Sequence, residues 1–266
     1  MISNFYLYIS WNVDPAIYDG FITLRYYSLF FALSFLIGFQ IVKKMFDNEF
    51  VPVEWMDKLL VYTVLGTILG ARLGHVLFYE PNYYLENISE ILMVWKGGLA
   101  SHGAAIGVLT GIFIFQKLNP FKPLIWILDR LTIPAAIGGV FIRTGNFFNS
   151  EIVGKYTGSN FGVVFENRGE ILPRYPAQMY EAFGYFILFL VLKKIYNSRY
   201  RDQGGFLMGL YFAGTFTIRF FVEYVKESQG GFEEIFPALS TGQWLSIPFI
   251  TFGLVISALS FFKKSS

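Results

Sequence analysis

Seven stretches of this chain are apolar enough and long enough to cross a lipid bilayer. A hydrocarbon core of roughly 30 Å takes about 20 mostly apolar residues of helix. The stretches are roughly Tyr26–Val42, Leu59–Tyr79, Leu99–Phe115, Trp126–Phe141, Met179–Leu192, Phe206–Tyr224 and Trp244–Phe262. The 266 residues are 54% hydrophobic and only 15% charged, which is more apolar surface than a soluble domain hides. The expected fold is an all-α integral membrane protein of seven transmembrane helices, a single polytopic membrane domain over residues 1–266.

Basic residues in the short loops set the orientation. Lys43, Lys44 and Lys58 lie between the first and second stretches, and Lys117 and Lys122 between the third and fourth. Lys193, Lys194, Arg199 and Arg201 separate the fifth from the sixth, and Lys263 and Lys264 follow the seventh. The alternate loops carry acids instead: Glu80, Glu86 and Glu90, then Glu227, Glu233 and Glu234. The N-terminus is therefore expected outside and the C-terminus in the cytoplasm, as an odd number of helices requires. No small-residue cleavage site follows the N-terminal region, so no cleavable signal peptide is expected. The longest outer loop, residues 146–177, contains the alternating segment Phe161–Phe165 (FGVVF) and reads as a small strand-containing cap on the outer face.

Composition also excludes several chemistries. The net charge of +2 gives no bulk electrostatic reason for a nucleic-acid partner. The absence of cysteine removes disulfides, thiolate metal sites and a cysteine nucleophile of the chain's own. Two histidines, His75 and His102, are too few for most metal sites.

Ionisable groups inside spanning helices are costly and mark cavities or substrate sites. Here they are Arg25, Arg72, His75, His102, Arg143, Glu181, Arg219 and Glu223. With the topology above, six helices bring such residues to the same outer level. Each also has a structural reading. Arg25 at a helix start can snorkel to the headgroups. Arg72 and His75 share a face and can fill a polar seam with Glu80, and Arg219 and Glu223, four apart, can form an ion pair. Arg143 lacks such an explanation, because no acid lies within a turn before it and Glu151 follows only after two asparagines. His102 sits in GGLASHGAAIG, where Gly103, Gly107 and Gly111 match Gly66, Gly70 and Gly74 of the preceding stretch. Small residues at this spacing let helix backbones approach closely in lipid.

Guanidinium groups near the outer interface suit an anionic ligand, since they bind phosphate bidentately and stay charged. A phospholipid headgroup meets the demand for a ligand that is apolar on one side and wet on the other. The residues alone therefore describe a polytopic enzyme or binder of an anionic lipid. A transporter of an anionic solute is the rival class. Transporter sites tend to lie near the midplane between repeats, and no internal repeat is evident here.

The segment Arg143 to Gly154, RTGNFFNSEIVG, resembles the signature of the bacterial prolipoprotein diacylglyceryl transferases through Arg143, Gly145, Asn146, Phe147, Asn149, Glu151 and Gly154. Ile142 stands where that signature begins with glycine. LRYYSL (with Tyr27), GARLGHVLFY, GGLASHGAAIG, YPAQMYE, RFFVEYVK and GQWLSIP resemble further family segments in the same order. Ala104, Tyr175 and Lys226 depart from residues common in the family, the last standing near a frequent arginine.

The resemblance implies a seven-helix enzyme of the bacterial cytoplasmic membrane that needs no metal or cofactor, with its active site toward the outer face. It implies transfer of the diacylglyceryl group of phosphatidylglycerol to the lipobox cysteine of a prolipoprotein signal peptide, giving a thioether and glycerol-1-phosphate. Carried onto this chain, Arg143 and Arg219 would clamp the headgroup and offset charge on the departing phosphate. Asn146 and Asn149 would bond its hydroxyls or fix the loop, and Glu151 and Glu223 would orient the arginines. Gly154 and Tyr27 would complete the substrate-binding set. His102 would be the base for the thiol, or would position groups if the arginine field alone lowers the thiol pKa.

Overall fold

A computed structural model describes residues 7–20, 23–228, 230–231 and 238–262. Glu233, Glu234, Lys263 and Lys264, used above for orientation, lie outside the described residues. Eight α-helices run in the order α1 (Tyr26–Asn48), α2 (Val53–Phe78), α3 (Pro81–Glu86), α4 (Ser101–Leu118), α5 (Leu124–Phe148), α6 (Ala177–Tyr196), α7 (Phe206–Val222) and α8 (Thr241–Phe262) among the described residues. All but the short α3 coincide with the seven apolar stretches. Four of them, α1, α2, α5 and α8, are long and apolar enough to cross a membrane, and α7 is apolar but shorter. The helices outrun their apolar stretches because charged ends such as Lys43, Lys44 and Asp47 continue the same hydrogen-bonded ladder beyond the apolar part.

The architecture is not purely helical. Strands β1 (Leu7–Trp11), β2 (Ala16–Tyr18), β3 (Leu24–Arg25) and β4 (Phe161–Phe165) form two small sheets. β4 is the strand expected from the alternation of FGVVF. Its partner is β1, parallel and in register from Leu7 opposite Phe161 to Trp11 opposite Phe165. Parallel pairing needs no connecting hairpin, so nothing local in the sequence announces it. Trp11 rests on Phe147 (ring centroids 4.5 Å apart) beside the buried Val153, Val163 and Phe165, which gives the cap its own apolar core.

The chain divides into two compact units, residues 1–42 with 128–266, and residues 43–127. In the smaller unit, α2 and α4 meet along the glycines picked out by spacing. A Cβ added at Gly66 would fall 2.5 Å from the Gly107 carbonyl oxygen, and one at Gly74 would fall 2.7 Å from the Gly103 Cα. Backbones this close gain dispersion contact that larger residues would forbid.

Arg72, 2% exposed, takes the structural role. Its guanidinium donates to the carbonyls of Glu90, Ile91 (2.8 Å) and Gly97 (2.6 Å) and lies over the Tyr84 ring. One side chain thereby ties down backbone carbonyls in the segment between α3 and α4. His75 lies 3.5 Å from Glu80, as the polar-seam reading expects. Arg72→Ala removes the donor of several part-buried carbonyls, each hydrogen bond worth about 0.5–1.5 kcal/mol. The expected result is a melting temperature in detergent lowered by several degrees, read by thermal unfolding.

In the larger unit the buried Asp129 of α5 accepts from the backbone N–H of Gly205 (2.7 Å) and Met208 (2.8 Å). Those are unpaired donors at the start of α7, and a carboxylate there meets both the donors and the positive end of the helix dipole. Neighbouring Arg130 reaches Asp202 (3.6 Å) and the Arg201 carbonyl. Together they fix α7 against α5 from the end opposite Arg143.

Candidate functional site

α5 runs without interruption through Ile142 to Phe148, so the absent glycine does not break the helix. Its last turn presents Arg143 and Asn146. The next residues turn sharply: Ser150 (φ 54°) and Ile152 (φ 56°) are both left-handed, which is strained for a β-branched isoleucine. Between them stands Glu151. The turn is secured by Glu151 N–H donating to the Asn146 carbonyl (3.0 Å) and Gln178 Nε2 donating to the Glu151 carbonyl (2.6 Å). Gly145 opens the way for α1, since its Cβ would lie 3.0 Å from the Tyr27 ring.

A relay of hydrogen bonds sets the direction of Arg143. Its Nη1 donates to Asn146 Oδ1 (3.2 Å), and Asn146 Nδ2 donates to Glu151 Oε1 (2.7 Å). Asn149 Nδ2 reaches the same oxygen at 3.4 Å. Glu151 thus orients Arg143 through Asn146. The direct charge partner is Glu181 of α6, 1% exposed, whose Oε2 lies 2.5 Å from Arg143 Nε. Although the charges are in contact, neither Glu181 oxygen accepts a well-directed hydrogen bond, so that carboxylate keeps unused acceptor capacity. The Tyr185 ring fits against Gly139 of α5. The sequence marked Glu181 as an intramembrane acid without pairing it. Its YPAQMYE context was the available signal.

Arg219 differs. Its Nε is buried without a hydrogen-bond partner, and no carboxylate stands within ion-pair distance of it among the described residues. The spacing-based pair with Glu223 does not form. Glu223 caps α7 with helical backbone, its N–H still donating to the Arg219 carbonyl (3.0 Å), but its carboxylate lies 3.8 Å from Lys226 instead. Gly242 of α8 leaves the room in which the Glu223 carboxylate sits.

Gly154 is a backbone junction. It bridges Lys226, its N–H donates to the Tyr175 carbonyl (3.0 Å), and a Cβ there would lie 2.7 Å from Tyr175 Cβ. The position of Tyr175 therefore holds the loop through its backbone. Arg174 secures the same junction by donating to the Gly154 carbonyl (2.9 Å) and pairing with Glu170 and Glu227. Burial pulls its pKa down, but the two carboxylates outweigh that and raise it.

One unit thus gathers Tyr27, Arg143, Asn146, Asn149, Glu151, Gly154, Arg219 and Glu223, and adds Glu181, Tyr185 and Lys226. Arg143 and Arg219 lie within one electrostatic neighbourhood, since Tyr185 and Lys226 each feel both. His102 belongs to the other unit, where it stacks on Tyr79 (5.7 Å) and meets Phe78 edge-on.

The sequence profile for prolipoprotein diacylglyceryl transferase matches residues 15–259. The chain belongs to that family. Relatives named phosphatidylglycerol–prolipoprotein diacylglyceryl transferase include one from Tolumonas auensis, 46% identical over 96% of this chain and 98% of its own. One from Chloroherpeton thalassium is 43% identical over 94% of this chain and 93% of its own, and one from Bacteroides fragilis is 38% identical over 99% of both. With its apolar helices, family membership makes the chain a multi-pass membrane transferase. Every residue of the motif from Arg143 to Gly154 falls inside the matched range.

Proposed function

We propose that the protein transfers the diacylglyceryl group of phosphatidylglycerol to the lipobox cysteine of a prolipoprotein. The thiolate sulfur attacks the glyceryl carbon that carries the phosphate, the carbon–oxygen bond breaks, and glycerol-1-phosphate departs with the bonding electrons. The observation that carries this reading is the guanidinium pair. Arg143 is held by Glu181 and the Asn146–Glu151 relay, and among the described residues Arg219 has no carboxylate within ion-pair distance. A phosphodiester supplies the missing anion, and the charge it gains on leaving falls on donors already in place.

The names of the relatives support the two substrates. The loop lysines support seven spanning helices in the cytoplasmic membrane, with the N-terminus and the headgroup site toward the outer face. Asn149 and Tyr27 serve as further headgroup contacts, Glu223 as a fixed charge beside Arg219, and Gly154 as the residue that keeps the loop closed. His102 serves as the base for the thiol. His102→Gln is expected to lower kcat about 10²-fold and remove a limb of its pH profile. Unchanged rate and profile exclude an obligatory base there.

The reading is tested with the purified protein, phosphatidylglycerol and a synthetic lipobox peptide. Thioether-linked diacylglyceryl peptide and equimolar glycerol phosphate are expected. Transport or binding of the lipid without either product overturns the transferase assignment.

A further inference from the structure

The cluster contains one cation that can lose its proton. Arginine stays charged at any physiological pH, whereas a buried lysine titrates readily. Lys226 is 3% exposed, and its backbone is pinned at the Gly154 bridge just past the end of α7. Its ammonium lies 3.8 Å from Glu223. The charged groups it faces come from three helices and their ends: Glu181 of α6, Arg143 of α5, and Arg219 and Glu223 at the end of α7. The carboxylates hold its proton on and the two guanidiniums push it off.

We propose that Lys226 is a third headgroup cation and that its proton and the lipid phosphate bind together, so phosphatidylglycerol binding weakens as pH rises. The inference rests on the reading that Arg143 and Arg219 receive the phosphate. An anion placed on those guanidiniums cancels the repulsion they exert on the ammonium. The proton is then held more tightly, and by linkage the proton strengthens the anion's binding by the same factor.

The sign follows from the two states. Burial, more than any neighbouring charge, lowers the Lys226 pKa from the ordinary lysine value in the empty site. The bound phosphate raises it. Affinity is therefore full below the empty-site pKa and declines as pH climbs toward the pKa of the occupied site. The phosphodiester carries one fixed negative charge throughout this range, so the lipid contributes no slope of its own.

The test is the KM for phosphatidylglycerol in detergent micelles from about pH 6 upward to the ordinary lysine range, at saturating lipobox peptide, for the wild type, K226R and K226Q. In the wild type KM is expected to climb by about three- to tenfold, bounded by tenfold per pH unit for one proton. K226R, which cannot titrate, is expected to lose the slope. K226Q is expected to be flat as well, at a KM near the wild-type value at high pH. If K226R does not fold, the K226Q comparison alone decides. A slope that survives in either variant, or a wild-type KM independent of pH, overturns the proposal. Absence of any transfer by the wild type overturns the transferase reading instead.

Discussion

Arg143→Ala is expected to lower kcat/KM by at least about 10³-fold, because two losses coincide. The first is a guanidinium aimed at the leaving phosphate. Removing a single preorganised donor to developing charge costs about 10²–10³ in rate, and here the donor carries a full charge. The second is the partner of Glu181, which is 1% exposed and sits against Arg143 Nε at 2.5 Å. A buried carboxylate deprived of its partner costs about 3–5 kcal/mol of stability. The variant should therefore melt earlier as well as turn over slowly. Adding Glu181→Gln to Arg143→Ala should restore much of the melting temperature and none of the activity. Recovery of activity in the double variant would assign Arg143 to folding rather than to the phosphate.

Arg219→Ala is expected to separate those two effects. Among the described residues Arg219 has no carboxylate within ion-pair distance, and its Nε lacks an acceptor. Removing it strands no partner and relieves an unsatisfied donor, so stability should hold or rise slightly. Activity should still fall about 10²–10³-fold, the range for a lost charge-stabilising donor. Transfer assays beside thermal unfolding check both arms. A large loss of stability would mean that Arg219 is a structural cation after all.

This contrast between the two arginines was not visible in the sequence. Spacing suggested a pair between Arg219 and Glu223, but at the end of α7 the Glu223 carboxylate turns to Lys226 although its backbone is still helical. Spacing also left Arg143 without an acid, because Glu181 arrives from the next helix. The carbonyls that hold Arg72 could not be foreseen either, since backbone acceptors carry no residue signature. Features set by local physics were legible. The long helices follow from apolar stretch length, the Gly66–Gly74 seam from four-residue spacing, and β4 from alternation. The β1 strand that pairs with β4 is remote in sequence, and its register follows from tertiary packing. The residues of the segment from Arg143 to Gly154 lie together at the end of α5 and the turn after it. The segment's internal logic, with Asn146 passing the orientation of Glu151 to Arg143, required the geometry.

In the proposed reading two guanidiniums, Arg143 held by Glu181 and Arg219 without a carboxylate partner among the described residues, hold a phosphodiester between them. A structure determined with phosphatidylglycerol bound tests it most directly. Phosphate oxygens are expected within hydrogen-bond distance of both Arg143 and Arg219, with the acyl chains leading away toward lipid. A headgroup seated elsewhere, with Arg219 still lacking an anion, would contradict it.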